Sequence, residues 1–105
     1  MYKLEYLPLA EADILEIDRS LYELSPVAAD KFAESIERLT ETLLCYPLMF
    51  PVYEDNTYFR HMTLPYKYRL FYHVDEDCEI IKIYRVLHGM RDVKGIIGSE
   101  GNGNE

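Results

Sequence analysis

Arginine, lysine, tyrosine and histidine recur between residues 56 and 92, and together they suit one kind of ligand, a phosphodiester. In the run 67–74, KYRLFYHV, Lys67, Arg69, Phe71 and His73 share one face of an extended strand. In the run 79–87, EIIKIYRVL, Lys82, Tyr84, Val86 and His88 share one parity, and Ile81, Ile83, Arg85 and Leu87 the other. Arg85 is therefore the odd member of an apolar face: either it snorkels at the sheet edge or a bulge changes the parity. Arg60 and His61 fall on opposite faces of the run 57–64. A guanidinium grips two phosphate oxygens at once, tyrosine stacks on a base, and histidine exchanges protons near neutral pH. His88 is the best placed histidine because it ends a strand beside Gly89, with Arg91 and Asp92 just beyond. His61 and His73 read as satisfied or exposed strand residues. The plainer alternative is that these tyrosines and arginines simply cover and solubilise an exposed sheet face.

No phosphate-binding glycine loop, dinucleotide fingerprint, nucleophile elbow or cluster of metal-ligand spacing occurs, so neither a metal nor a cofactor is expected. Cys45 and Cys78 lack CxxC spacing and read as reduced and incidental.

The elements that must position these residues follow from periodicity. Residues 2–7, YKLEYL, alternate Tyr2, Leu4 and Tyr6 with Lys3 and Glu5, the pattern of a half-buried strand. Pro8 suits the first turn of a helix, and Ala10, Ile14, Ile17, Leu21 and Leu24 follow at helical spacing. Ser25 then caps a second helix opening on Pro26, with Ala29, Phe32, Ile36, Leu39 and Leu43 as its apolar stripe. Pro47 and Pro51 bracket an irregular crossing. Three strands follow, 57–64, 67–74 and 79–87, joined by connections short enough to force an antiparallel meander. The expectation is an α+β domain of order β-α-α-β-β-β, its helical hairpin packed on one face of an antiparallel sheet and the opposite face free. Residues 1–94 form this single domain. The run from Gly95, GIIGSEGNGNE, reads as a flexible tail.

The chain has 105 residues, ten of them tyrosine, and a formal net charge of -8. Residues 1–55 carry four basic and twelve acidic residues, net -8. Residues 56–94 carry seven and five, net +2, and the last eleven carry two glutamates, net -2. Four of the five acids in the middle segment are Asp75, Glu76, Asp77 and Glu79, at one turn. The protein is thus electrostatically two-sided: the acidic half opposes nucleic acid, while the strand region is the part able to meet it. No run of about 18 apolar residues and no signal-peptide pattern occurs, so a cytoplasmic protein with no membrane contact is expected.

The segment Tyr66-Lys67-Tyr68-Arg69-Leu70-Phe71-Tyr72, taken with Ile83-Tyr84-Arg85-Val86-Leu87-His88-Gly89-Met90-Arg91-Asp92, resembles the RelE/ParE superfamily of toxins from type II toxin–antitoxin systems. The early strand ending in Pro8, the helix opening after Ser25-Pro26, Pro47 at its end and Arg60 on the next strand extend the resemblance over nearly the whole chain. It implies a toxin neutralised by a cognate antitoxin that wraps it, acting without cofactor. Of the two activities in that superfamily, one is metal-independent cutting of mRNA in the ribosome and the other is inhibition of DNA gyrase by binding. For the first, the resemblance implies Arg69 as the phosphate holder and His88 as general acid or base. The candidate substrate contacts beside them are Arg60, Lys67, Tyr84, Arg85 and Arg91. The acidic helical half and the absence of a lysine-rich patch motivate the second. A weakened, non-toxic relative that only binds the antitoxin is a third reading.

Overall fold

Prolines and a serine set both helix starts. A computed structural model describes residues 1–91 and 93–98. Strand β1 (Lys3–Tyr6) runs into helix α1 (Pro8–Leu24), whose first turn opens on proline, where a missing N–H costs nothing. Helix α2 (Pro26–Cys45) follows at once. Ser25 sits between them in an extended conformation, donating its own N–H to the Leu21 carbonyl while its hydroxyl accepts from the Ala28 N–H at 3.4 Å. One residue thus ends the first helix and caps the second.

Strands β2 (Arg60–Leu64), β3 (Tyr68–Asp75) and β4 (Ile80–His88) form the expected antiparallel meander. The sheet order is β1-β4-β3-β2, with β1 added beside β4 in parallel, so the four-stranded sheet is mixed. The β2–β3 connection is a short 3-10 turn, Pro65–Lys67, in which Tyr66 (φ 64°) and Lys67 (φ 67°) are both left-handed. Such backbone costs of order 1 kcal/mol or more per non-glycine residue. The turn is braced from β4: the Gly89 N–H donates to the Lys67 carbonyl at 2.7 Å. A Cβ at position 89 would stand 3.2 Å from that carbonyl oxygen, so glycine is what allows the approach.

The helices bury Ile17, Leu21, Phe32, Ile36, Leu39 and Leu43 against Leu70, Tyr72, Ile81, Ile83 and Val86 on one sheet face. Fully burying one such side chain stabilises by about 1.5–3 kcal/mol. The opposite face is not free, as the reading of two helices on one side required. Tyr53 and Phe59 from the crossing segment, with Val93 and Ile97, cover Phe71 and Leu87 in a second apolar cluster. Val93 and Ile97 belong to a helix α3 (Val93–Gly98), so the chain is ordered past residue 95, where the glycine content had suggested a tail. Two apolar residues four apart, Val93 and Ile97, outweigh the two glycines between 95 and 98, because burial on Phe71 and Leu87 decides the segment. The rest of the proposed tail lies outside the described residues. Asn56 holds the arrangement: it is 7% exposed, its side-chain amide donates to the Ile97 carbonyl at 2.8 Å, and its oxygen accepts from the Tyr58 N–H at 3.1 Å.

Candidate functional site

The position of each candidate turns on one extra residue in β4. Tyr72 pairs with Ile83, but the next residue on β3, Phe71, pairs with Arg85, so Tyr84 is skipped. This is the bulge that the odd parity of Arg85 suggested. Before it, Lys82 pairs with His73 on the face away from the helices, and Ile81 and Ile83 point to the helices. After it the parity is exchanged. Val86 joins the helix-side core, Leu87 joins the opposite cluster, and His88 pairs with Tyr68 on the helix side.

Arg69 pairs with Leu87 and shares the far face with Phe71 and His73. Arg69 and His88, expected to act together on one phosphate, therefore stand on opposite faces of the sheet. Without the bulge, His88 would share the face of Lys82 and Tyr84, and thus of Arg69.

Around Arg69 the geometry is aromatic. His61 on β2 lies parallel to Phe71 with centroids 5.9 Å apart and meets Tyr53 edge-on at 5.1 Å. Burial depresses the basicity of His61, and the nearby Arg69 charge depresses it further against a smaller opposing pull from Glu54. The Arg69 guanidinium makes no hydrogen bond or ion pair among the described residues, its backbone pairing with Thr63 and Leu87 in the sheet. His73 stacks face to face on Tyr58 at 3.7 Å and its Nδ1 lies 2.7 Å from the Tyr58 carbonyl, to which it donates.

The other candidates are committed elsewhere. The Arg60 Nη1 donates to the carbonyls of Phe50 at 2.6 Å and Leu48 at 3.3 Å, fastening the crossing segment beside the Tyr72 hydroxyl, which donates to the Pro47 carbonyl at 3.1 Å. The Tyr84 and Tyr58 hydroxyls bond at 2.9 Å within the aromatic cluster. Arg85 is in a two-pronged ion pair with Asp13 of α1, Nε to Oδ2 at 2.8 Å and Nη2 to Oδ1 at 3.1 Å, with side chains 13% and 12% exposed. The same Oδ2 accepts from the Val86 N–H at 2.9 Å. β1 pairs with β4 only as far as Ile83, and Asp13 takes the place of a strand neighbour beyond that point. Lys67 is exposed at the left-handed turn.

His88 and Arg91 meet Asp13, Glu16, Ser20 and Tyr68 around a small polar cleft of about 150 Å³ between α1 and the end of β4. The His88 Nδ1 accepts from the Met90 N–H at 3.1 Å and its ring stands edge-on to Tyr68 at 5.0 Å. The cleft thus sets His88 and Arg91 beside Glu16 and the Asp13 carboxylate that Arg85 already holds. No group of three or more metal-ligating side chains is gathered among the described residues. Both cysteines are exposed thiols, and Asp75 pushes the Cys78 thiol above its ordinary range, which disfavours the thiolate.

Two apolar hollows are also present. One, about 500 Å³, is lined by Tyr6, Glu11, Ile14, Leu15 and Ile36. The other, about 670 Å³, is lined by Tyr2 and Cys45–Met49. A signal for them exists in the sequence: Leu15 falls outside the apolar stripe of α1, and Tyr46, Leu48 and Met49 fall in a segment with no periodic face.

A family model described as the ParE toxin of the type II toxin–antitoxin system, parDE, matches residues 4–93. The chain belongs to the ParE toxin family. Its fold is similar to a chain of the chromosomal ParDE toxin–antitoxin system from P. aeruginosa, with a TM-score of 0.69 and 22% identity over 84% of this chain and 96% of that one. It is also similar to the isolated E. coli RelE toxin, with a TM-score of 0.59 and 18% identity over 92% and 95% of the two chains. A chain of the intact E. coli RelBE toxin–antitoxin complex gives a TM-score of 0.54 and 18% identity over 87% and 100%. At these identities the solved structures speak for the shared fold. No curated protein sequence matches. Within this ParE-family chain, no helix of the described residues is long and apolar enough to cross a membrane.

Proposed function

We propose that this ParE-family toxin acts by binding its target, DNA gyrase, rather than by cutting ribosome-bound mRNA, and that a cognate antitoxin neutralises it in the cytoplasm. The observation that carries the reading is the separation of Arg69 and His88. Cleavage through the 2′-hydroxyl needs a proton acceptor, a proton donor and a charge stabiliser around one phosphate. Here the guanidinium and the strand-end histidine are divided by the sheet, and Arg60 and Arg85 are held by a loop and by Asp13. What the far face offers is one uncommitted guanidinium set among aromatic rings, the composition of a protein-binding hot spot.

Induced expression without the antitoxin should arrest growth, and His88→Ala should arrest it equally, whereas Arg69→Glu should relieve it. Primer extension on mRNA from the arrested cells should show no cuts in the ribosomal A site. Cuts abolished by His88→Ala would reject the binding reading in favour of the nuclease one.

A further inference from the structure

On the sheet face away from the helices, three polar side chains stand together without hydrogen-bond partners. Thr63 of β2 lies directly opposite Arg69 of β3, and His61 lies opposite Phe71. Residues two apart on a strand share a face, so Thr63 and His61 project on the side of Arg69 and Phe71. Directly opposite Cβ atoms stand about 5 Å apart and diagonal ones about 7 Å, so guanidinium, hydroxyl and imidazole can meet one small group. Among the described residues, the Arg69 guanidinium, the Thr63 hydroxyl and the His61 ring nitrogens make no hydrogen bond or ion pair. Arg60 and Arg85 differ, the first being held by the Phe50 carbonyl and the second by Asp13.

These donors match one carboxylate. A guanidinium fork grips both oxygens, and each oxygen keeps a lone pair for a hydroxyl or an imidazolium N–H. The rings around the site offer no platform for a nucleic-acid base: Tyr53 is 7% exposed, Phe71 is fully buried, and both already pack on His61. A polyanion would also meet the net charge of -8 carried by the whole chain. A single acidic side chain on a protein partner meets the local positive charge instead, that of Arg69 and of Lys67, exposed at the adjoining turn.

We propose that Arg69, Thr63 and His61 together hold one carboxylate from an acidic segment of DNA gyrase, and that His61 takes up a proton as it binds. The site presupposes the gyrase reading above and gives that contact its chemistry. Arg69 of β3, with Glu54 and the Tyr53 ring of the crossing segment, are the charged and titratable groups against His61. In the free toxin, burial and the Arg69 charge favour the neutral imidazole over the weaker opposing pull of Glu54. A bound carboxylate offsets the Arg69 charge and accepts from the imidazolium, so binding draws a proton onto His61 and tightens as pH falls from 8 to 6.

The test is titration calorimetry of the full-length toxin with DNA-free gyrase holoenzyme at pH 8.0 and 6.0, in buffers of different ionisation enthalpy that count the protons taken up. Thr63→Glu sets a carboxylate directly opposite Arg69 and fills the site from within. Its melting temperature should equal or exceed that of the wild type, while the dissociation constant for gyrase rises at least tenfold. Thr63→Gln, of like size without the charge, should stay within threefold. Wild-type binding should tighten at least threefold between pH 8.0 and 6.0 with net proton uptake, and His61→Gln should remove both effects. Gyrase binding that Thr63→Glu leaves within twofold, or a pH response undiminished in His61→Gln, would overturn the carboxylate site and leave the gyrase reading intact. No wild-type binding to gyrase would overturn both, as would binding of a single-stranded RNA in its place.

Discussion

Replacing Asp13 by alanine should be among the most damaging single changes outside the apolar core. Its carboxylate takes three hydrogen bonds, two from Arg85 and one from the Val86 N–H, at 2.8 to 3.1 Å. Removing it strands a guanidinium that is 13% exposed and leaves a β4 amide without its acceptor at the bulge. Breaking a fully buried pair costs about 3–5 kcal/mol, and the residual exposure brings the expectation here to about 2–4 kcal/mol. For a domain of this size that lowers the melting temperature by about 10 to 20 °C. Urea denaturation of the wild type, Asp13→Ala, Arg85→Ala and the double variant closes a cycle. The double variant should be more stable than Asp13→Ala alone, because the stranded charge is gone, and Arg85→Ala should cost less because the carboxylate keeps the Val86 N–H. Amide exchange at Val86 should quicken in both variants lacking Asp13. A loss below about 0.5 kcal/mol for Asp13→Ala, or strictly additive costs, would refute the bulge lock.

Asn56→Ala should release α3, costing about 1–3 kcal/mol for its buried bonds, with earlier proteolytic cleavage after residue 91 as the readout. Tyr72→Phe keeps the ring in the core and removes only the hydroxyl bond to Pro47, so a loss of about 1 kcal/mol in chemical denaturation is expected. His61 has its folded pKa below its unfolded value near 6.5, so the unfolded chain binds the proton first and stability falls as pH drops through the window below 6.5. Denaturation midpoints between pH 8 and 5 should therefore fall less steeply in His61→Gln than in the wild type, and parallel curves would argue against it.

How much of this was legible in the chain differs by element. Pro8 and Ser25-Pro26 marked both helix starts, because their effect is local and needs no tertiary partner. The tight connections around Pro65 and Asp75–Cys78 forced the meander for the same reason. The Asp75 carboxyl accepts from the Cys78 N–H at 3.1 Å, closing the second of these turns with a contact three residues long. The bulge at Tyr84 was visible only as a choice, since Arg85 fitted either a snorkelling edge residue or a parity change. What decides it is Asp13, 72 residues earlier in the chain, and no pattern within β4 contains that contact. The change of face at His88 follows directly, because one skipped residue moves every later side chain to the other face. The covering of the far face depends likewise on Asn56 reaching Ile97 across 41 residues. Candidate residues were thus found by type, whereas their grouping into a site was set by long-range polar contacts.

The most direct test of the central claim is supercoiling of relaxed plasmid by purified DNA gyrase in the presence of the purified toxin. Wild-type toxin and His88→Ala should inhibit supercoiling equally, and Arg69→Glu should inhibit at least tenfold more weakly. Undiminished supercoiling at toxin concentrations that arrest growth would contradict it.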